Sequence, residues 1–278
     1  MSTLDRLALR GLHLAGFKSR YVPTSEGPMH VLEAEGKGTL PPLVLLHGFG
    51  ASAVQLMPIL MRLKRHVRRI VAPDLPGHGF SATPAELGVP ALSRGLVETL
   101  HEVMGESSVL FGNSMGGAAA IRYALDHPQK VERLILCSPG GAAMAQTELD
   151  RFRQVFFLDD HRAAKEFVDK LLGRRSPLRS LYALTAKKKL GQPALQRLIR
   201  SVETSDLFTA QQIGQLSMPV LMVWGEADGI LPKESREFFR QHLPPHAIVD
   251  EPARVGHSPY LESPRVLTER IVRFLGQS

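Results

Sequence analysis

The hydrophobic positions of this chain fall into seven short runs that are separated mostly by segments of helix length. The runs are MHVLEA (29–34), LVLLHG (43–48), RIVAPDL (69–75), SVLFGNS (108–114), RLILCS (133–138), VLMVWG (220–225) and AIVDE (247–251). Nearly continuous apolar strands that alternate with helices are typical of a parallel sheet covered on both faces. The pattern therefore predicts an α/β fold with a mostly parallel central sheet, and a ligand site beyond the carboxyl ends of the strands.

The alternation of strands and helices is interrupted once along the chain. Between Met144 and Gln212, Phe, Val and Leu recur among charged residues with helical spacing, as in RFRQVFFLDD and HRAAKEFVDKLLG. This pattern predicts a helical insertion. We expect a core formed by residues 1–141 and 213–278, and a helical cap formed by residues 142–212.

Two of the predicted strands end in glycine-rich turns around one polar residue, His47 in the first turn and Ser114 in the second. The second turn, Gly112-Asn113-Ser114-Met115-Gly116, is a G-x-S-x-G motif between a strand and a helix, which is the context of a nucleophile elbow. Glycine at the flanking positions lets neighbouring backbones pass without a Cβ clash. The motif thus predicts a nucleophilic serine; the alternative is a structural turn in which the serine has no chemical role.

Five motifs in sequence order, HGFG, DLPGHG, GNSMGG, WGEAD and VGH, resemble those of the α/β-hydrolase fold, and the resemblance extends over nearly the whole chain. It implies Ser114 as nucleophile, Asp228 after VLMVWG as the acid and His257 after AIVDE as the base. In these roles His257 takes the proton of Ser114 and returns it to the leaving group, while Asp228 fixes the imidazole tautomer. Glu226 and Asp250 are the competing candidates for the acid.

The first glycine-rich turn, His47-Gly48-Phe49-Gly50, matches the oxyanion loop of the same family. The resemblance implies that the backbone N–H groups of Phe49 and Met115 stabilise the developing oxyanion. The side chain of Phe49 either lines an acyl pocket or packs in the interior. In the rigid DLPGHG loop we expect structural roles for Asp74 and His78.

A serine at the elbow implies an acyl-enzyme, so the expected activity is hydrolysis of carboxylic esters, with lipid and monoacylglycerol esters among the candidates. The GNSMGG run also resembles hydrolases that cleave carbon–carbon bonds of ring-fission products. Those enzymes commonly carry Trp after the catalytic histidine and Pro-Gly in the oxyanion loop, where this chain has Ser258 and Ala51-Ser52. Carbon–carbon cleavage and ligand binding without turnover stay open as alternatives.

The predicted cap carries most of the net positive charge, +5 of +7, and a run of apolar side chains. Residues 142–215 contain 13 Lys or Arg against 8 Asp or Glu, in a chain of net charge +7. Because the charge is regional and mixed with acids, we expect no nucleic-acid partner; a basic cap is suited instead to anionic substrates or to peripheral contact with an anionic lipid surface. Phe156, Phe157 and Leu158 either line an acyl channel or seal the cap onto the core.

Several further features narrow the class of protein. The single Cys137 rules out an internal disulfide. No apolar stretch approaches the roughly 18 residues that span a bilayer, and Asp5, Arg6 and Arg10 leave no apolar signal-peptide segment, so we expect a cytoplasmic protein. The sequence has no metal-ligand cluster and no nucleotide-binding glycine motif, and we therefore expect no metal and no cofactor.

Overall fold

The computed structural model describes residues 3–105, 107–174 and 176–277. Within these residues the strands form a single central sheet of eight strands. Its spatial order is β1-β2-β4-β3-β5-β6-β7-β8; β1 and β2 pair in antiparallel fashion, as do β2 and β4, and the other neighbours are parallel. The strands are β1 (Lys18–Val22), β2 (Met29–Glu35), β3 (Leu43–Leu46), β4 (Arg69–Pro73), β5 (Ser108–Ser114), β6 (Val131–Pro139), β7 (Val220–Val223) and β8 (Ile248–Asp250).

Helices cover both faces of this sheet, and each face has its own buried core. One core packs α3, α4 and α10 on the sheet through residues such as Leu100, Ile121 and Phe239; the other packs α1, α2 and α12 through Leu60 and Ile271 among others. The helices of the described residues are α1 (Thr3–Leu14), α2 (Met57–Leu63), α3 (Val89–Val103), α4 (Met115–Asp126), α5 (Gln146–Gln154), α6 (His161–Leu171), α7 (Arg179–Leu190), α8 (Pro193–Ser201), α9 (Ala210–Gly214), α10 (Lys233–His242), α11 (Pro259–Glu262) and α12 (Pro264–Leu275).

Each of the seven predicted runs overlaps one of the strands β2 to β8, and the predicted mostly parallel α/β architecture is confirmed. Strand β1 was not predicted. Its sequence is KSRYV, it lies at the edge of the sheet, and only Val22 of its five residues is buried. Because β1 buries only one side chain, its sequence has no apolar run that would mark it as a strand.

The segment between β6 and β7 is helical, as its periodicity predicts. Its described residues, 140–174 and 176–219, form α5 to α9 and contain no strand beyond an isolated bridge between Ala142 and Phe208. Phe156, Phe167 and Leu190 belong to a buried cluster of this segment that also includes Ile230. The segment therefore packs onto the loop that follows β7; its treatment as a separate cap domain stays a prediction.

The described residues contain no helix with the length and hydropathy needed to cross a bilayer. They also contain no group of three or more His, Cys, Asp or Glu side chains placed to hold a metal ion. Cys137 is a buried free thiol on β6, and burial raises its pKa above the ordinary value for cysteine. It therefore stays protonated and unreactive.

Candidate active site

Ser114 lies at a sharp bend where β5 ends and α4 begins. Its backbone has φ 55° and ψ −119°, a left-handed conformation that costs a non-glycine residue roughly 1–3 kcal/mol. Two glycines let the bend form: a Cβ on Gly112 would collide with the carbonyl oxygen of Gly116, and a Cβ on Gly116 would lie 2.5 Å from the carbonyl oxygens of His47 and Leu46. The backbones of β3, β5 and α4 thus meet closely enough to require glycine.

Asp228 and His257 come together although they follow different strands, β7 and β8. Nδ1 of His257 donates a hydrogen bond of 2.7 Å to Oδ2 of Asp228, and both side chains are almost fully buried. Oδ1 of Asp228 accepts hydrogen bonds from the N–H groups of Ile230 (2.9 Å) and Leu231 (3.2 Å). Because Nδ1 carries a proton, Nε2 of the neutral imidazole is free to accept one. His257 and Ser114 line the same cavity.

The electrostatics of Asp228 favour its ionised form. Burial alone would raise its pKa, but the adjacent His257 and the two backbone N–H groups outweigh burial and hold the pKa of Asp228 below the ordinary value. The competing acids are placed differently: Glu226 is exposed, and Asp250 forms an ion pair with Arg270. Of the three candidate acids, Asp228 is therefore the one whose carboxylate is hydrogen-bonded to the imidazole of His257.

Two side chains that the sequence analysis missed hold the loop of His257. Asn113, next to Ser114, donates from Nδ2 to the carbonyl oxygen of His257 (3.1 Å). The carboxylate of Glu262 accepts hydrogen bonds from the N–H groups of Gly256 (2.6 Å) and Gly173 (2.9 Å). These contacts connect the nucleophile elbow, the histidine loop and the end of α6 into one hydrogen-bonded unit.

The His47–Gly50 turn is fixed by the buried imidazole of His47. Its Nε2 accepts a hydrogen bond from the N–H group of Leu75 (3.1 Å), so its Nδ1 carries the proton and donates to the carbonyl oxygen of Gly48 (2.8 Å). Burial lowers the pKa of His47, which keeps the ring neutral. Gly50 takes a positive φ of 68°, a conformation that glycine adopts without strain.

The N–H groups of Phe49 and Met115 are available at the elbow. Among the described residues, neither amide donates a hydrogen bond to another protein group. Both residues line a cavity together with Ser114. The ring of Phe49 also packs edge-on against Phe156, with centroids 5.1 Å apart, and against His78 at 5.8 Å. The side chain of Phe49 therefore both packs and lines the site.

The DLPGHG loop is held from within by Asp74. Its buried carboxylate accepts hydrogen bonds from the N–H groups of Ala53 (2.7 Å) and Phe80 (2.9 Å) and from Nδ1 of His30 (2.8 Å). His78 in the same loop is buried, and burial lowers its pKa to about 3. Nδ1 of His78 donates a hydrogen bond to the carbonyl oxygen of Pro76 in the same loop (3.0 Å).

Two cavities meet at Ser114. The first, which we name the α4 cavity, has a volume of about 170 Å³ and extends along one face of α4 under α3 and α8; its lining includes Met115, Ala118, Ala119, Arg122, Leu92 and Leu198. The second, the α7 cavity, has a volume of about 320 Å³ and lies between α1, α6, α7 and α11; its lining includes Asp5, Phe167, Lys189, Leu190, His257 and Tyr260. Ser114 can therefore reach a substrate that occupies both.

The three cap residues predicted to contact substrate have different positions. Phe156 lines both cavities, whereas neither Phe157 nor Leu158 belongs to the described lining of either one. The ring of Phe157 lies under the guanidinium group of Arg200, 4.9 Å from its centroid, and Leu158 packs against the buried cluster of the helical segment. Of the three, the structure brings only Phe156 to the site.

Known proteins resemble this chain over most of its length. A model of the alpha/beta hydrolase family matches residues 43–270. Pimeloyl-acyl-carrier-protein methyl ester esterases from Yersinia enterocolitica and Nitrosomonas europaea are each 30% identical; the matches cover 85% of this chain in both cases, and 93% and 96% of those proteins.

Solved structures show the same fold at lower identity. A bacterial membrane phospholipase A aligns with a TM-score of 0.83 and 24% identity over 98% of this chain and 90% of that one. A 2-hydroxy-6-oxo-6-phenylhexa-2,4-dienoate hydrolase from Rhodococcus aligns with a TM-score of 0.81 and 24% identity over 94% of this chain and 99% of that one. With the family model matching most of its length, the chain belongs to the alpha/beta hydrolase family.

Proposed function

We propose that this protein is a serine hydrolase that cleaves carboxylic esters through an acyl-enzyme on Ser114, with His257 as general base and Asp228 as the orienting acid. The observation that carries the proposal is the 2.7 Å hydrogen bond between Asp228 and His257 at a cavity that Ser114 also lines. The relatives named as methyl ester esterases, at 30% identity, support an ester as substrate.

Acylation begins when Oγ of Ser114 attacks the ester carbonyl carbon and its proton passes to Nε2 of His257. The N–H groups of Phe49 and Met115 donate to the resulting oxyanion, at the positive end of α4. Each such donor typically contributes about 10²- to 10³-fold to the rate. The bond from carbon to the alcohol oxygen then breaks, and the imidazolium gives its proton to the departing alcohol.

Deacylation repeats these steps with water in place of serine. His257 takes a proton from water, the resulting hydroxide attacks the acyl carbon, and the proton returns to Oγ of Ser114 as the carboxylic acid leaves. Throughout the cycle the ionised Asp228 stabilises the imidazolium. The chemistry needs no metal and no cofactor in this scheme.

In this proposal residues 142–212 act as a cap over the reaction centre. Both cavities take part of their lining from this segment, through Phe156 in each of them. Both cavities are lined mainly by apolar side chains; in this proposal the acyl chain occupies the α4 cavity and the alcohol part occupies the α7 cavity. A small-molecule ester fits this division.

The mouth of the α7 cavity supports a further part of the proposal, peripheral contact with an anionic lipid surface. Leu4 on α1 and Leu181 on α7 line this cavity with half or nearly half of their side-chain surface exposed, and Leu184 nearby is 59% exposed. Exposed basic residues, among them Arg6 and Lys188, belong to the same two helices. Apolar side chains flanked by cations are typical of interfacial helices.

Sedimentation with vesicles tests the lipid contact. We expect more protein to bind phosphatidylglycerol vesicles than phosphatidylcholine vesicles, and a Leu181→Ser, Leu184→Ser double variant to lose most of the difference. Ile248→Ser, which changes an exposed side chain on edge strand β8, is the control. Equal binding of the wild type and the double variant contradicts this part of the proposal.

Labelling with a fluorophosphonate, followed by assay of p-nitrophenyl esters, tests the reaction. We expect one label per chain on Ser114, turnover of the esters, and loss of both in Ser114→Ala with a nearly unchanged melting temperature. Activity retained in Ser114→Ala contradicts the nucleophile assignment. Labelling without turnover indicates a ligand-binding protein, and turnover confined to dienone ring-fission products indicates carbon–carbon cleavage.

A further inference from the structure

The loop that carries His257 rests directly on the backbone at the end of α6. The N–H group of His257 donates a hydrogen bond to the carbonyl oxygen of Leu171 (2.9 Å). One residue earlier in the loop, a Cβ on Gly256 would lie 2.4 Å from the backbone nitrogen of Gly173. Glycine is the residue that permits two backbones to approach this closely. The position of the loop therefore depends on a segment of the predicted cap.

The loop of Asp228 rests on the same segment. The N–H group of Gly229 donates to the carbonyl oxygen of Lys170 (2.9 Å), and a Cβ on Gly229 would lie 3.0 Å from Cα of Lys170. Residues 170–173 thus contact the loops of both the acid and the base. Because Asp228 and His257 follow different strands, this shared support helps to set the distance between their side chains.

Glu262 on α11 bridges the histidine loop and this segment. Its Oε1 accepts a hydrogen bond from the N–H group of Gly256 (2.6 Å), and its Oε2 accepts one from the N–H group of Gly173 (2.9 Å). The guanidinium group of Arg174 donates to the backbone carbonyl oxygen of Glu262 (3.0 Å). Glu262 itself is half-buried. Each oxygen of one carboxylate thus holds a different side of the contact.

The bridge needs a carboxylate, because both of its partners are N–H donors. An ionised carboxylate offers two acceptor oxygens and no donor, whereas the amide of glutamine offers one acceptor and would turn its NH₂ group toward an N–H group. Hydrogen bonds to an ionised acceptor are also stronger than those between neutral groups. Burial raises the pKa of Glu262 above its ordinary value, and the two N–H groups and Arg174 oppose that shift. The charge of Glu262 thus depends on the contacts that form the bridge.

We propose that Glu262 is a positioning residue for the reaction: by joining the loop of His257 to residues 170–173, it holds the imidazole where Nε2 can accept the proton of Ser114. The inference rests on the proposed ester hydrolysis. Glu262 lies outside the described lining of both cavities, so it acts through His257 and not on the substrate. Misplacement of a catalytic group by about 1 Å can cost roughly 10²-fold in rate. A loosened histidine loop therefore slows catalysis and leaves substrate binding nearly unchanged.

The test measures kcat and KM for a short p-nitrophenyl ester in two variants of Glu262. Glu262→Gln is expected to lower kcat roughly 10- to 100-fold, with KM within about threefold of the wild type, because His257 acts in both acylation and deacylation and both steps slow together. Glu262→Asp keeps both acceptor oxygens on a shorter side chain, and its kcat is expected to lie between those of Glu262→Gln and the wild type. A wild-type kcat in Glu262→Gln overturns the proposal. Should Glu262→Gln fail to fold, Glu262→Asp decides: a lowered kcat supports the proposal, and a wild-type kcat overturns it.

Glu148→Gln is the matched control. Glu148 on α5 belongs to the same helical segment and also accepts a backbone N–H group, that of Ala145 (3.0 Å). It is exposed and, like Glu262, lies outside the described lining of both cavities, but it has no hydrogen bond to the histidine loop. We expect its kcat to stay within about twofold of the wild type. An equal drop in both glutamine variants assigns the effect to the stability of the helical segment and overturns the proposal.

The proton NMR signal of Nδ1–H in His257 gives a readout without turnover. In Ser114→Ala, the hydrogen bond to Asp228 is expected to shift this signal downfield, and Glu262→Gln in the same background is expected to move or broaden it while the melting temperature still reports a folded protein. An unchanged signal overturns the positioning role and leaves the proposed hydrolase intact. Absence of turnover on every ester in the wild type counts against the hydrolase itself, whatever the signal shows.

Discussion

Replacing Asp228 by asparagine tests the assigned roles most directly, because the surrounding hydrogen bonds determine how the new side chain must lie. The N–H groups of Ile230 and Leu231 both donate to Oδ1, so in Asp228→Asn the amide oxygen is held at that position. The amide NH₂ group then takes the place of Oδ2 and donates to Nδ1 of His257. This moves the imidazole proton to Nε2, the atom that must accept the proton of Ser114.

The cost of this change has two parts. The imidazolium loses its counter-charge, and an interaction of unit charges about 4 Å apart is worth roughly 4 kcal/mol at an effective dielectric constant of 20. That energy corresponds to roughly 10³-fold in rate. The unfavourable tautomer adds to the loss, so we expect kcat/KM of Asp228→Asn to fall by about 10³- to 10⁴-fold.

The assay is hydrolysis of a short p-nitrophenyl ester at pH 7 to 8, with the fold checked by circular dichroism and by the melting temperature. Glu226→Gln is the control, since Glu226 follows the same strand but is exposed. Its activity is expected to stay within twofold of the wild type. An Asp228→Asn enzyme that keeps a tenth of the activity, or an equal loss in Glu226→Gln, refutes the reasoning.

Three further predictions concern the elbow, a buried histidine and the acyl channel. Gly116→Ala places a Cβ 2.5 Å from the carbonyl oxygens of His47 and Leu46. We expect it to lower the free energy of unfolding, measured with urea, by about 1–3 kcal/mol. Gly11→Ala is the control: a Cβ there meets no atom within 4 Å, so the change should be neutral or stabilising. Because burial lowers the pKa of His78 to about 3, the unfolded chain binds a proton that the folded chain excludes, so stability should fall as the pH drops from about 6.5 toward 3. His78→Gln should flatten that slope in urea midpoints, and an unchanged slope refutes the assignment. Ala119→Leu should reduce kcat/KM for octanoyl esters far more than for acetyl esters, and an equal reduction refutes the placement of the acyl chain along α4.

The elements that sequence analysis predicted well are those whose cause is local. The bend at Ser114 needs glycine at positions two residues away on either side, and both glycines are visible in the motif. The fully buried strands β3 and β7 consist entirely of apolar residues. The positions of Asp228 and His257 came from the family resemblance, and the structure brings these two side chains into contact.

The features that were missed depend on partners without a sequence signal. Asn113 and Glu262 bond to backbone groups, and the carbonyl oxygen that Asn113 contacts lies 144 residues away along the chain. A backbone carbonyl is the same for every residue type, so no pattern marks it. Phe156 lines both cavities whereas Phe157 and Leu158 line neither, because neighbouring residues in and near helical turns point in different directions.

Helix α4 links catalysis to substrate choice. Three of its small residues, Gly116, Gly117 and Ala120, are buried where the helix packs on the sheet. The same helix uses Ala118 and Ala119 on a different face to form the floor of the α4 cavity. Since the faces are separate, a substitution at Ala119 can change the accepted chain length while the elbow keeps its geometry. If the proposed function holds, acyl specificity in this protein is adjustable at positions one or two turns from Ser114, without altering the groups proposed to carry the reaction.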